Sequence, residues 1–535
     1  MSTPATLRAL IDERAAQFPD KPFLLAPAAD DTNGIRGGAL TFGELQDACK
    51  TLESRFRGAG LIPGDVVSVF MGNGIQTATL LLATMYSGLV ANPLNLLCQP
   101  SQVRYIVEHS DTRAIFVSME SRGAITSAIA ALHDQGFDRE ILLVTTEPDA
   151  LEAPVFAAPE LALADAATQA SARPAVLQPA GGSESPPGAE DVALLMYTSG
   201  TTGQPKGVLL THRNLLANAR TITAEHRLTA DDRVLASLPL FHINGLVVTL
   251  LAPLQHGGSV VVAPRFSART FWRDVTRHGC TWINIVPTII AYLLNQEDDH
   301  VFDLSALKFC RSASAALPAE HHRAFEARFG IGVIETMGMT ETAAPVFSNP
   351  YEVERRRIGS IGLPSGANAR VIDREGRDCA HDECGEIVLR GEQVMSGYYK
   401  RPEETRAAFT ADGWLRTGDL GYHDVEGYFY INGRSKELII KGGENIAPRE
   451  IDEALLKHPG VLDAASVGVP DAAYGQEIVA FVVPRELDGP LALDLADLRA
   501  HCLRELGRFK TPKEFRLIDE LPRGPSGKVQ RLKLL

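Results

Sequence analysis

Long apolar runs are missing from this chain, and so is any excess of positive charge. The nearest approach to a spanning segment, "LLLATMYSGLVANPLNLL", is broken by Ser87, Asn92, Pro93 and Asn95, which leaves no stretch long enough for a membrane-crossing helix. The opening residues "MSTPATLRALIDERAAQF" place Asp12, Glu13 and Arg14 where a signal peptide has its apolar centre. A cytoplasmic location is the expectation. Lys and Arg number 52 against 66 Asp and Glu, for a formal net charge of −14. A nucleic-acid binder would carry a basic footprint instead. Any site for an anion must therefore be local, made of backbone N–H groups and a few cations. Cysteine is scarce and odd in number: Cys49, Cys98, Cys280, Cys310, Cys379, Cys384 and Cys502. The one close pair, Cys379 and Cys384, lacks partners at zinc-site spacing, so free thiols in a reducing compartment are expected. Internal repeats are absent as well.

What is present is ordinary globular material: 535 residues, 45% hydrophobic and 22% charged, enough for two to four structural units. Short apolar runs such as "DVVSVFMG" (65–72), "RAIFVS" (113–118), "EILLVTT" (140–146), "GSVVVAP" (258–264) and "TWINIVP" (281–287) read as buried strands. Segments at helical spacing, Ile75–Ser87 and Phe266–His278, lie between them. That alternation predicts α/β layers with mostly parallel sheets. From about Pro148 to Asp191 an Ala- and Pro-rich stretch reads as a surface excursion or linker. After Gly366 short strands with glycine turns predict an antiparallel part. After Gly433 about 100 residues have a βαβ-like order of their own, which predicts a small C-terminal domain hinged near Arg434–Lys436.

The stretch "DVALLMYTSGTTGQPKGV" reads as strand, loop, strand. Its loop places three threonines, one serine and three glycines around Lys206. Glycine lets a ligand approach the backbone closely, and consecutive N–H groups in such a turn form a concave anion site. This is phosphate chemistry, but not the P-loop, which needs Gly-Lys-Ser/Thr opening a helix. The stretch resembles the phosphate-binding signature of the adenylate-forming superfamily: acyl-CoA synthetases, adenylation domains and luciferases. The resemblance implies that Thr198, Ser199, Gly200, Thr201, Thr202, Gly203 and Lys206 wrap the phosphates of ATP.

Further motifs resemble the family in order. In "ETMGMTETAAP", the resemblance makes Glu341 the Mg²⁺ ligand and Thr340 a contact of the α-phosphate, with Gly338 and Met339 beside them. Magnesium suits a carboxylate next to phosphates. Where the family often has an aromatic residue on the adenine, this chain has Met337. The opposite wall would be Ser314, Ala315 and Ala316 of "RSASAALP". Asp419 of "TGDLG" and Arg434 of "GRSKE" correspond to the ribose and phosphate contacts. Lys528 of "PSGKVQR" corresponds to the lysine that bridges the acid and the α-phosphate. A preorganised cation there opposes the crowding of anionic oxygens, and losing such a donor costs roughly 10²–10³ in rate. "KGGE", Lys441, Gly442, Gly443 and Glu444, would line the CoA channel in a second half-reaction, after rotation about Lys436.

The fold implied is α/β. A large N-terminal domain of layered α/β subdomains with a small β-barrel-like part would span residues 1–433, and a small mobile α+β domain residues 434–535. The activity implied is an ATP-dependent acid–CoA ligase that makes an acyl-adenylate and pyrophosphate, then a thioester. The alternative is loading of a carrier-protein thiol. The partners are a small carboxylic acid, ATP with Mg²⁺, and CoA; the oligomeric state stays open. The acid pocket would be lined by His242, Asn244 and Gly245, by Val286 and Pro287, by Arg311 and Ser312, and by Met337 and Gly338. His242 would lie near the carboxylate as a gate or polar contact. Arg311 either pairs with a second carboxylate of the substrate or with an acid of the protein itself. "APRFSARTFW", "RSASA" and "MTETAAPVFSNP" are similar to the oxalyl-CoA synthetase branch, which implies a small or dicarboxylic acid.

Overall fold

Strands written as unbroken apolar runs must be covered on both faces, and the architecture follows from that need. A computed structural model describes residues 3–27, 38–156, 177–178, 185–198, 204–296, 302–434, 437–485, 493–523 and 529–535. Ser199, Gly200, Thr201, Thr202, Gly203, Lys436 and Lys528 lie outside the described residues, as does most of the 148–191 stretch.

Two large sheets carry the N-terminal part. One has seven strands, with Val90–Pro93, Val66–Phe70, Thr112–Val117 and Leu142–Thr145 in parallel and the hairpin Val192–Thr198/Lys206–Thr211 joined at Val90–Pro93. The other has nine strands. Its parallel centre runs Val333–Met339, Phe309–Ser312, Trp282–Ile285, Arg233–Ala236 and Ser259–Val262. The helix Ile75–Tyr86 is buried at every residue, as a helix apolar all round must be. Buried Asn73 joins the two layers. Its Nδ2 donates to the Leu238 carbonyl at 2.9 Å, and its Oδ1 accepts from the Leu240 N–H at 2.9 Å.

The antiparallel part expected after Gly366 consists of four strands, Asn368–Ile372, Gly385–Arg390, Leu415–His423 and Phe429–Arg434. A smaller C-terminal domain follows, with its own apolar core around Ile439, Ile451, Val482 and Leu498. Its βαβ-like order is realised once, where Gly475–Pro484 pairs in parallel with Glu514–Leu517 across the helix Leu495–Lys510. Its longest strands, Val461–Asp471 and Gly475–Pro484, form an antiparallel hairpin instead. All seven cysteines are free. Among the described residues no helix is long and apolar enough to cross a membrane.

Candidate active site

A cleft of about 540 Å³ opens between the large and small domains. Ser314, Ala315, Ala316, Met337, Gly338, Asp419 and Arg434 line it, so the residues expected around a nucleotide do converge. Ser314 holds φ 74°, a left-handed conformation uncommon outside glycine. Gly338 has no room for a side chain, since a Cβ there would sit 2.0 Å from the Ala344 carbonyl oxygen. Asp419 and Arg434 are cross-strand partners, and the guanidinium Nε donates to Asp419 Oδ1 at 2.8 Å. Asp419 is buried, and its charge holds Arg434 above the ordinary arginine range.

The segment expected to bind phosphates lies on the hairpin that ends in Thr198 and resumes at Lys206, which are paired residues. The Thr198 hydroxyl donates to the Lys206 carbonyl at 3.5 Å. Helix His212–Glu225 follows directly, capped by Thr211 and Asn214. From this helix Asn218 Nδ2 donates to the carbonyls of Thr342 (3.0 Å) and Pro345 (2.9 Å), pinning the turn that carries Thr340 and Glu341. The two residues after Thr342, Ala343 and Ala344, have φ 53° and 103°. Such strain in non-glycine residues persists only where the surroundings over-determine it. Among the described residues no group of three or more His, Cys, Asp or Glu side chains could hold a metal. Glu341 alone suits magnesium all the same, because that ion takes one or two carboxylates and completes its shell with phosphates and water.

The segment expected on the acid side starts in a π-helical stretch, Asn244–Leu251, a geometry common at functional sites. Gly245 is obligatory there, since a Cβ would sit 2.2 Å from the Pro239 carbonyl oxygen. Asn244 Nδ2 donates to Ser314 Oγ at the cleft, 3.1 Å away. Behind it, Arg311 Nη1 donates to Asn244 Oδ1 at 3.1 Å and to Asn284 Oδ1 at 2.8 Å. Arg311 is wholly buried, and no hydrogen bond reaches its Nε or Nη2 among the described residues. Burial pushes the guanidinium down to about 9, so it stays charged at pH 7. Of the two partners expected for it, no acid of the protein pairs with it among the described residues. The acid that bears on its charge, Glu225, accepts instead from Ser365 Oγ at 2.7 Å. Ser312 is also buried, with no hydrogen bond to its Oγ among the described residues. His242 is half-buried beside Phe241, 4.9 Å between ring centroids, and does not line the cleft.

The stretch Lys441–Glu444 is not brought to the cleft. Lys441 is buried against Glu477 (2.5 Å) and the Phe509 carbonyl (2.8 Å), and the Gly442 N–H donates to the Tyr474 carbonyl. The small domain instead presents Arg449, Asp463, Leu521, Arg523 and Val529. The buried pair Arg531–Asp452, at 2.6 Å, fixes the chain just beyond Lys528 to that face. Sequence reasoning missed Asn284, Glu335 and Tyr398. An asparagine inside "TWINIVP" and a glutamate inside "VIETM" are polar interruptions of apolar strands, which was the available signal. Tyr398 offered none.

A cleft between a large and a small domain, a hairpin leading to a glycine- and hydroxyl-rich stretch, and a buried Arg–Asn network behind the cleft are the arrangement expected of an acid-activating, nucleotide-dependent ligase. The profile of the AMP-binding enzymes matches residues 11–399, and that of the AMP-binding enzyme C-terminal domain matches residues 450–528. The chain is 63% identical over 530 residues to the sulfoacetate–CoA ligase of Cupriavidus necator, covering 99% of this chain and 97% of that one. It is 35% identical to the oxalate–CoA ligase of Arabidopsis thaliana, covering 98% and 97%. ATP-bound MatB of Rhodopseudomonas palustris superposes with a TM-score of 0.84 at 31% identity, covering 99% and 98%. The chain belongs to the AMP-binding enzyme family. It is an ATP-dependent acid–CoA ligase, and that family uses ATP and CoA as substrates.

Proposed function

We propose that the acid this enzyme activates is short and carries a second anionic group, the class to which sulfoacetate and oxalate belong. The observation that carries the reading is Arg311. A charged guanidinium buried without an acid partner is costly, and among the described residues Asn244 and Asn284 alone accept from it. A sulfonate or second carboxylate offers the planar or tripodal oxygens that its remaining donors suit. The network Arg311–Asn244–Ser314 runs from that cation to the cleft, which sets the two ends of such an acid in register. The name of the 63% identical relative points to the same chemistry.

In this reading the acid's carboxylate oxygen attacks the α-phosphorus of ATP, and the bond to pyrophosphate breaks. Thr198, Lys206, Thr340 and the loop 199–203 bind the phosphates; Asp419 and Arg434 hold the ribose; Ser314, Ala315, Ala316, Met337, Gly338 and Met339 surround the adenine and α-phosphate. Magnesium, held by Glu341, would offset the phosphate charge. Lys528 steadies the crowded oxygens. The small domain, residues 434–535, then turns about Lys436, and Lys441–Glu444 meets the CoA arm. The thiolate attacks the acyl carbon and AMP leaves. Pyrophosphate release measured over a panel of acids tests the substrate class. Sulfoacetate, oxalate and malonate should exceed propionate and decanoate in kcat/KM; a preference for decanoate would end the reading.

A further inference from the structure

The segment after the antiparallel strand Gly385–Arg390 is laced to the phosphate site at nearly every residue. Asn214 Nδ2 donates to the carbonyls of Glu392 (2.7 Å) and Val394 (3.0 Å). The Met395 N–H donates to the Glu341 carbonyl at 2.8 Å, the Ser396 N–H to Leu209 at 3.1 Å, and the Tyr399 N–H to Gly207 at 2.8 Å. Beyond it, Arg401 Nη2 donates to Gln204 Oε1 at 3.1 Å. The two-residue strand Gly397–Tyr398 thereby lies beside Val208 and Leu209, two residues past Lys206.

Tyr398 occupies the centre of this strap and is half-buried. Its phenol donates to Glu341 Oε1 at 2.9 Å. Its ring lies 4.9 Å from the Lys206 ammonium. One side chain thus touches both the carboxylate and the cation of the phosphate site. The phenol takes one oxygen of Glu341, Oε1. The ring face supplies an electrostatic seat for an ammonium without the desolvation and competition a second carboxylate would bring. The backbone of Tyr398 is fixed in turn: its N–H donates to Thr405 Oγ1 at 2.9 Å.

We propose that Tyr398 is a positioning residue of the adenylation step, aiming the Glu341 carboxylate at the phosphates and seating Lys206 over its ring. The proposal rests on the reading of Glu341 as the magnesium carboxylate. A phenol donating to a carboxylate fixes its plane, and a hydrogen bond to a charged group is strong enough for its loss to be measured. The ammonium is held near the phosphates without being neutralised, so it can transfer to them.

The test is calorimetric ATP binding, with magnesium and with EDTA, on Tyr398→Phe, Tyr398→Leu, Glu341→Gln and the Tyr398→Phe/Glu341→Gln double variant. Each is paired with the rates of the two half-reactions. Tyr398→Phe keeps the ring. It should weaken ATP binding about tenfold in magnesium and leave binding in EDTA within about twofold. Acid-dependent pyrophosphate release should fall about tenfold, and thioester formation from supplied acyl-adenylate should be spared. In the Glu341→Gln background the same change should cost nothing further. Tyr398→Leu removes the seat of Lys206 and should add a loss of about threefold that persists in EDTA. Equal losses with and without magnesium for the Phe variant, equal damage to both half-reactions, additivity with Glu341→Gln, or no change would each overturn the proposal. If Glu341→Gln itself leaves magnesium-dependent binding intact, the assignment of Glu341 fails, a result distinct from failure of Tyr398→Phe alone.

Discussion

Replacing Arg311 by methionine removes a buried charge while keeping the length of the side chain. The guanidinium is wholly buried and its affinity for a proton is depressed to about 9. That displacement from the ordinary arginine value corresponds to about 5 kcal/mol of desolvation at most. No acid partner among the described residues is lost in the substitution, because Asn244 and Asn284 are the acceptors there. Removing the buried cation relieves its desolvation, against a cost of about 1–3 kcal/mol for leaving the buried Asn284 carbonyl oxygen without its donor. The melting temperature of the unliganded enzyme should therefore hold or rise. Substrate selectivity should collapse. Truncating one partner of a desolvated, hydrogen-bonded charge pair costs about 2–5 kcal/mol, roughly 30- to several-thousand-fold. The assay is acid-dependent pyrophosphate release with sulfoacetate and with propionate, an acid of similar length and one charge. Sulfoacetate should lose that factor in kcat/KM, and propionate should change less than about threefold. Equal losses for both acids, or a large fall in melting temperature with selectivity intact, would refute the reasoning and make Arg311 a structural ion.

Two other predictions follow from the same site. Glu335 is buried, the Leu317 N–H is the one donor to it among the described residues, at 3.2 Å, and burial raises it to about 7. Its folded-state value lies above its unfolded one, so its contribution to stability is whole below the ordinary carboxylate range and lost as pH rises through about 7, about 3 kcal/mol at most. Thermal melts should show stability falling from pH 5 to pH 8, and Glu335→Gln should flatten that fall; an unchanged slope would mean the carboxyl is ionised throughout. Lys528→Ala should abolish acid-dependent pyrophosphate release and largely spare thioester formation from supplied acyl-adenylate, and equal damage to both steps would contradict the division of labour between the domain's two faces.

The strands and the order of the motifs were legible because both depend on local pattern. "DVVSVFMG" and "TWINIVP" are buried on two faces and therefore apolar at successive positions. The phosphate hairpin is marked by its own glycines and hydroxyls. The small domain was legible as a unit, but its inner pairing was less so. "DAAYGQ" lets the strands on either side fold back as a hairpin, and apolar content alone does not separate that from a parallel crossover. The polar network was not legible. Asn244, Asn284 and Arg311 come from three elements far apart in the chain, and their convergence is set by sheet order. Tyr398 and Glu341 are 57 residues apart and meet only because a two-residue strand docks on the phosphate hairpin.

The central claim is that the acid is joined to AMP before it meets CoA. Sulfoacetate labelled with oxygen-18 in its carboxylate tests this directly. With ATP, magnesium and CoA, one labelled oxygen should appear in AMP, read by mass spectrometry, alongside the sulfoacetyl thioester. Label in inorganic phosphate with ADP as the nucleotide product, or thioester formed with unlabelled AMP, would contradict the account.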